Sequence, residues 1–250
     1  VLLATQAMGT RFEIVLHGED EGRLRAVGEE AVRAIEHWHG RLSRFMPESD
    51  VSRLNRDSGA RVGDDLRDLL DVCDEVRLAS RGAFDPRIGP ERRLDLGAVG
   101  KGWALDQAAE IVLEHGLTTA LLHGGGSSVV AIGAPANAEG WPVAIRSDGE
   151  ALRVLLHDQA LGVSAPRGRM DARGVTHIVD PRTGDAPIHT DTAAVIAPLG
   201  PNAASLADAW STALVVLGKP PTTFPPGFTV HTHQPSRGWV SYSPHVLESA

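Results

Sequence analysis

Apolar residues keep helical spacing through much of the first 116 residues and strand spacing through most of the remainder. Residues 11–17 alternate in the manner of a strand. Leu24, Val27, Ala31, Ala34, Ile35 and Trp38 then predict a long helix over roughly 20–43. Ser49-Asp50 opens a short helix carrying Val51 and Leu54. Asp64-Asp65 opens another, with Leu66, Leu69, Leu70, Cys73 and Val76 on one stripe, ending near Gly82. A Pro/Arg linker and a glycine-rich stretch precede a helix over Trp103–His115. Short β-type runs follow at 118–123, 129–132, 143–146, 152–156, 160–164, 175–179 and 193–196, separated by turn residues. The stretch 202–217 reads as one late helix closed by Gly218, and two weaker strands lie at 228–233 and 238–242. Helices first, then strands, then one helix predict an α+β fold, not an alternating doubly wound one. The expected arrangement is one domain over 1–250. Its helix-rich part (about 1–116) and sheet-rich part (about 117–250) form two closely joined lobes, with a mainly antiparallel sheet and a ligand cleft between them.

Composition narrows the function. The net charge is −8 and no basic stripe is present, which argues against nucleic acid as a partner. With Cys73 the only cysteine, neither an internal disulfide nor a Cys-based zinc site can form. No apolar run has the length of a membrane span. No leader or lipid-attachment cysteine is visible, so a cytoplasmic location is expected unless a leader was trimmed.

Five segments carry candidate chemistry. Asp208, Ser211 and Thr212 stand at i, i+3 and i+4, which puts a carboxylate and two hydroxyls on one face of an Ala/Leu-rich helix. Oxygen donors grouped this way suit a hard cation such as Mg²⁺, completed by substrate phosphates. The alternative is a solvent-facing Asp208 with hydroxyls bonded to the preceding turn. In Leu94–Lys101, glycines before a helix let backbone N–H groups approach an anion. It is not a Walker A loop, since Gly102 follows Lys101, and the alternative is a tight packed turn. His177, in an apolar row before a Pro/Gly turn, is either a core histidine or a rigidly held general base. His123-Gly124-Gly-Gly126-Ser127-Ser128 suits an anion nest or, more simply, a hairpin, and His231-x-His233 lacks an evident third metal ligand.

Taken in order, several motifs resemble the FAD:protein FMN transferase family, the ApbE-type flavin transferases. They are Met8-Gly-Thr10, Leu42–Asn55, Gly82-Ala-Phe-Asp-Pro86, Leu94-Asp-Leu-Gly-Ala-Val-Gly-Lys-Gly-Trp-Ala-Leu-Asp106, His177-Ile-Val-Asp-Pro-Arg-Thr-Gly184 and Ala207-Asp-Ala-Trp-Ser-Thr-Ala-Leu214. The resemblance implies FAD as substrate and magnesium as cofactor. FMN would pass to a Thr or Ser hydroxyl of an acceptor flavoprotein, releasing AMP. It implies FAD contacts at Met8, Phe45, Ala83, Phe84, Asp85, Asp95, Lys101 and Val179. A metal site is implied at Asp208, Ser211, Thr212 and the Ala98 carbonyl, and a base at His177.

The chain departs from the family pattern in places. The stretch between Pro86 and Asp95 is shorter than usual. The usual Gly-Gly-Asp reads Gly125-Gly126-Ser127, the usual Thr-Ser-Gly reads Ser164-Ala165-Pro166, and the usual Tyr is Phe45. Two alternatives follow: a pyrophosphatase splitting FAD to FMN and AMP, and a flavin-binding protein without turnover.

Overall fold

Most of the scattered strand signals assemble into one long sheet, while those at 143–146 and 152–156 pair only with each other. A computed structural model describes residues 1–57, 59–166, 178–188 and 190–242. Strands β1 (Leu2–Ala7) and β2 (Thr10–Leu16) lead into helices α1 (Glu21–Leu42), α2 (Asp50–Arg56) and α3 (Asp64–Ala79). A two-residue ladder, β3 (Arg87–Ile88) with β4 (Arg93–Leu94), precedes α4 (Gly100–Glu114). Then come β5 (Ala120–Gly124), β6 (Ser128–Ile132), β7 (Trp141–Ser147), β8 (Glu150–Leu156), β9 (Gln159–Ser164) and β10 (Thr192–Pro198). Helix α5 (Ala203–Leu217) and strands β11 (Thr229–Gln234) and β12 (Gly238–Tyr242) complete the described chain. The sheet has eight strands in the order β1-β2-β5-β6-β9-β10-β11-β12. Every neighbouring pair in it is antiparallel. The fold is therefore α+β with a mainly antiparallel sheet, as the sequence predicts.

The period-2 pattern of β2 buries Phe12, Ile14 and Leu16 under the helices. Helix α5 lies across β9 and β10, and α4 packs between α5, α1 and strands β5 and β6. Strand β6 is buried on both faces. Val130 and Ile132 join the helical core, while Val129 and Ala131 join a second, smaller core closed by Trp141, Ile145 and Leu156 of the β7–β8 hairpin.

Two glycines bring backbones into direct contact with α5. A Cβ on Gly102 would stand 2.3 Å from the Ala204 carbonyl oxygen, and one on Gly162 would stand 2.3 Å from the Ala207 carbonyl carbon. Only glycine lets α4 and β9 sit that close to the helix.

Some elements differ from the sequence-based expectation. Strand β1 was not predicted. It is an edge strand with alternating exposure, joined to β2 by Met8-Gly9, both at positive φ (50° and 73°), the geometry of a tight hairpin turn. The expected Pro/Arg linker contains the β3–β4 ladder. Helix α4 begins at Gly100, so Lys101 stands in its first turn. The expected strand at 175–179 is corrected at its described end. Ile178 and Val179 are in no strand, because the chain turns at once through Asp180–Gly184, where the Gly184 N–H donates to the Asp180 carbonyl at 2.8 Å. Residues 175–177 lie outside the described residues.

Candidate functional site

Asp208 sits at the junction of α4, α5 and β6. It is 3% exposed. The Gly102 N–H donates to its Oδ2 at 2.8 Å, and the Ser128 hydroxyl reaches both carboxylate oxygens at 2.8 and 2.9 Å. Burial pushes its carboxyl up to about 6. The positive charge of Lys101 and the bonds from Ser128 and Gly102 oppose that rise. A carboxylate offers about four acceptor directions, and the two donors found among the described residues leave room for a cation.

The neighbouring hydroxyls form a short network. Ser211 and Thr212 both donate back to the Asp208 carbonyl, at 2.9 and 3.2 Å. Ser164, at the end of β9, bonds both hydroxyls at 2.8 and 3.0 Å. The sequence offered a metal-ready face or hydroxyls bonded to the preceding turn. The hydroxyls do bond that turn, but Asp208 is buried rather than solvent-facing. Ser211 is fully buried, and Thr212 is the more open of the pair. Among the described residues no three His, Cys, Asp or Glu side chains converge on a metal-sized site. The donors here are all oxygen, the set that suits Mg²⁺ shared with substrate phosphates.

Asp106 ties α4 to α5 one turn further on. Helix α5 enters through Asn202 at φ 59° and makes no side-chain cap of its own. Asp106 accepts from Ala204 N–H at 2.8 Å, Ser205 N–H at 2.9 Å and the Ser205 hydroxyl at 2.7 Å. It thus satisfies backbone donors a helix start leaves free. Although the residue as a whole is only half-buried, desolvation at this junction raises its carboxyl to about 7 against those three bonds.

The other motif residues arrange around the start of α4. The Met8 sulfur lies 3.8 Å from the Cβ position of Gly100, beside Leu42. Lys101 is half-buried and enters no ion pair among the described residues. Ala98 is half-buried in the turn before α4. Ala83 and Phe84 are buried in the main core, and Gly82 packs against Arg182, which brings the Gly82–Pro86 and Ile178–Gly184 segments together. Val179 is half-buried. Phe45 is 81% exposed, with the Arg44 guanidinium 4.8 Å from its ring centre. Arg44 also pairs with Asp95 at 2.9 Å, and Asp95 accepts from the Gly97 N–H at 2.8 Å. Asp85 accepts from the Arg87 N–H at 2.8 Å and pairs with Arg92 at 2.9 Å. Asp180 is held well below the usual carboxylate range, chiefly by its hydrogen bonds from the Arg182 side chain. His177, the expected base, lies outside the described residues.

Sequence reasoning assigned no role to Ser128, Ser164, Asp106, Arg44 or Arg92. Asp106 had a signal: a carboxylate three residues after Trp103, on the side of a helix that packs inward, must find donors. The two serines stood within motif segments, but nothing there named their partners on α5. Cys73, expected as a core residue, is buried, and burial pushes its thiol up to about 12. A separate groove of about 650 Å³ opens between α3, α4 and the β10–α5 turn. Its carboxylates, Asp68, Asp71, Glu75, Asp106, Glu110 and Glu114, have the wrong sign for a diphosphate. No described helix is long and apolar enough to cross a membrane.

Comparison with known proteins agrees with this geometry. A family model described as the ApbE family matches residues 8–93 and 88–222. An FAD:protein FMN transferase of Klebsiella pneumoniae is 32% identical over 279 residues, covering 87% of this chain and 78% of that protein. One of Treponema pallidum is 35% identical over 144 residues, covering 50% of this chain and 38% of that protein. Among solved structures, the ApbE protein of Thermotoga maritima superposes with a TM-score of 0.81 at 20% identity, covering 99% of this chain and 98% of that one. The flavin transferase ApbE of Vibrio cholerae superposes with a TM-score of 0.80 at 18% identity, over the same shares. With motifs, fold and sequence match in agreement, the chain belongs to the ApbE family.

Proposed function

We propose that this protein transfers FMN from FAD to a Thr or Ser hydroxyl of an acceptor flavoprotein, releasing AMP, with magnesium as the metal. The observation that carries the reading is the Asp208 junction. In a family whose relatives are named for this transfer, a buried carboxylate that among the described residues has no cationic partner in ion-pair contact stands beside Lys101, half-open Thr212 and a helix start.

Asp208, Thr212 and the Ala98 carbonyl would hold the ion. Bound there, Mg²⁺ supplies charge neutralisation for the diphosphate, the main need of phosphoryl transfer. Ser128 and Gly102 keep the Asp208 carboxylate aimed, as outer-shell partners do. Lys101 offers its ammonium to a phosphate oxygen. Met8, Phe45, Ala83, Phe84, Asp85, Asp95 and Val179 are the positions we assign to FAD contact, with the exposed ring of Phe45 offering apolar surface to the flavin or adenine. His177 takes the acceptor proton, a role worth roughly 10²–10⁴-fold. The acceptor oxygen bonds to the FMN phosphorus as the bond to the AMP oxygen breaks, so one phosphoester forms and one phosphoanhydride is lost.

Incubation with FAD, Mg²⁺ and a candidate acceptor should give equal amounts of AMP and fluorescent, covalently flavinylated acceptor. AMP without an acceptor identifies a pyrophosphatase instead. Stoichiometric yellow protein with no AMP identifies a flavin-binding protein without turnover.

A further inference from the structure

The metal-binding turn of α5 does not hold itself in place. Its helix starts from a left-handed Asn202 with no side-chain cap, so the first backbone N–H groups depend on an acceptor from elsewhere. That acceptor is Asp106 of α4, which receives both the Ala204 and Ser205 N–H groups and the Ser205 hydroxyl. One turn of α4 earlier, the Gly102 N–H bonds the Asp208 carboxylate, and the missing Cβ of Gly102 admits the Ala204 carbonyl. The two helices are thus fastened at two points. One point is the carboxylate proposed to bind the ion. The other is Asp106, which meets α5 at Ala204 and Ser205, one turn before Asp208. The Ala98 carbonyl, the donor expected from the opposite side, stands just before α4 begins.

We infer that Asp106 is a positioning residue: by capping α5 from α4, it sets the distance between the Asp208–Thr212 donors and the Ala98–Lys101 turn, and so sets the affinity for magnesium. The inference rests on the metal reading of the proposed function. It concerns metal affinity, which a contribution to folding alone would not change.

The experiment follows melting temperature and heat of binding as MgCl₂ is titrated into the protein holding FAD. Asp106→Ala and Asp106→Asn are compared with wild type and with Asp20→Ala. Asp20 caps α1 through the Arg23 N–H, far from α5 in the chain, and its loss is a matched loss of a helix cap. Asp106→Ala should raise the half-saturating Mg²⁺ concentration about tenfold or more. Asp106→Asn, which keeps one acceptor oxygen, should raise it about threefold, and Asp20→Ala should lower the metal-free melting temperature without moving the Mg²⁺ midpoint. Wild-type Mg²⁺ affinity in a folded Asp106→Ala overturns the inference while leaving the proposed function standing. If Asp106→Ala does not fold, wild-type affinity in Asp106→Asn overturns it equally. A wild-type protein with no Mg²⁺ response overturns the metal reading and this inference together.

Discussion

The floor and the rim of the site are held in opposite ways. At the floor, Asp208 and Asp106 are fixed by backbone N–H groups and serine hydroxyls, and two glycines press α4 and β9 onto the backbone of α5. At the rim, Asp85, Asp95 and Asp180 are held by the long side chains of Arg92, Arg44 and Arg182. Contacts of the first kind are costly to break, because a buried donor or acceptor would be left alone. Ion pairs of the second kind, whose arginines are about half exposed while their carboxylates are more sheltered, are worth on the order of 1 kcal/mol each and exchange partners more readily. A floor of this sort suits an ion that must be met in one geometry. A rim of this sort can release its carboxylates and arginines to an arriving substrate.

The largest effect that would sharpen the contrast is on turnover. Asp208→Ala should cut Mg²⁺-dependent AMP release by about 10²-fold or more while the protein stays folded, as read by product mass spectrometry. Gly162→Ala should come next. Its Cβ meets the Ala207–Asp208 backbone, which cannot yield as a side-chain tip can, so urea unfolding should show a loss of about 1–3 kcal/mol. An unchanged unfolding midpoint would mean the floor is not locked by backbone contact.

The third prediction is a pH dependence of opposite sign in the two regions. Asp106 is raised to about 7 and Asp208 to about 6, from 3.8. Carboxyls raised on folding contribute stability that is complete below about pH 4 and lost as pH climbs through 6 and 7. Asp180 at the rim is lowered by Arg182, so its contribution is present above 3.8 and lost as pH falls further. Melting temperature should therefore decline from pH 4 to 7, and Asp106→Asn should flatten that decline. A wild-type melting temperature that rises over this interval would refute it. The smallest effect belongs to the rim. Arg44→Ala and Arg92→Ala should each change stability by less than about 1 kcal/mol and shift FAD affinity by up to about fivefold, measured by flavin fluorescence quenching.

The same division decided what the sequence could reveal. The floor helix was legible because Asp208, Ser211 and Thr212 interrupt an apolar run at helical spacing, and the antiparallel sheet was legible from alternation between turn residues. Ser128 and Ser164 were not, since a serine in a strand gives no sign of which distant helix it will meet. Ser128 and Asp208 are 80 positions apart. Strand β1 escaped notice because Leu2, Leu3 and Ala4 run together, and its alternation exists only in exposure at the sheet edge. The β3–β4 ladder is two residues per strand, too short for any period to register. The arginine pairs of the rim could not be assigned either, because an arginine beside several carboxylates in sequence has many equivalent choices in space.

The β7–β8 hairpin leaves the sheet after β6 and returns at β9, strands that already pair with each other. The sheet would keep its order if a short turn joined Ile132 to Gln159 directly. Such a shortcut would strip Trp141, Ile145 and Leu156 from Val129, Leu161 and Ile196, leaving bare oily surface on the side away from the helices. This makes the hairpin a removable shutter whose tip, Asp148-Gly149, is a natural splice point for a reporter peptide that leaves the helical side undisturbed.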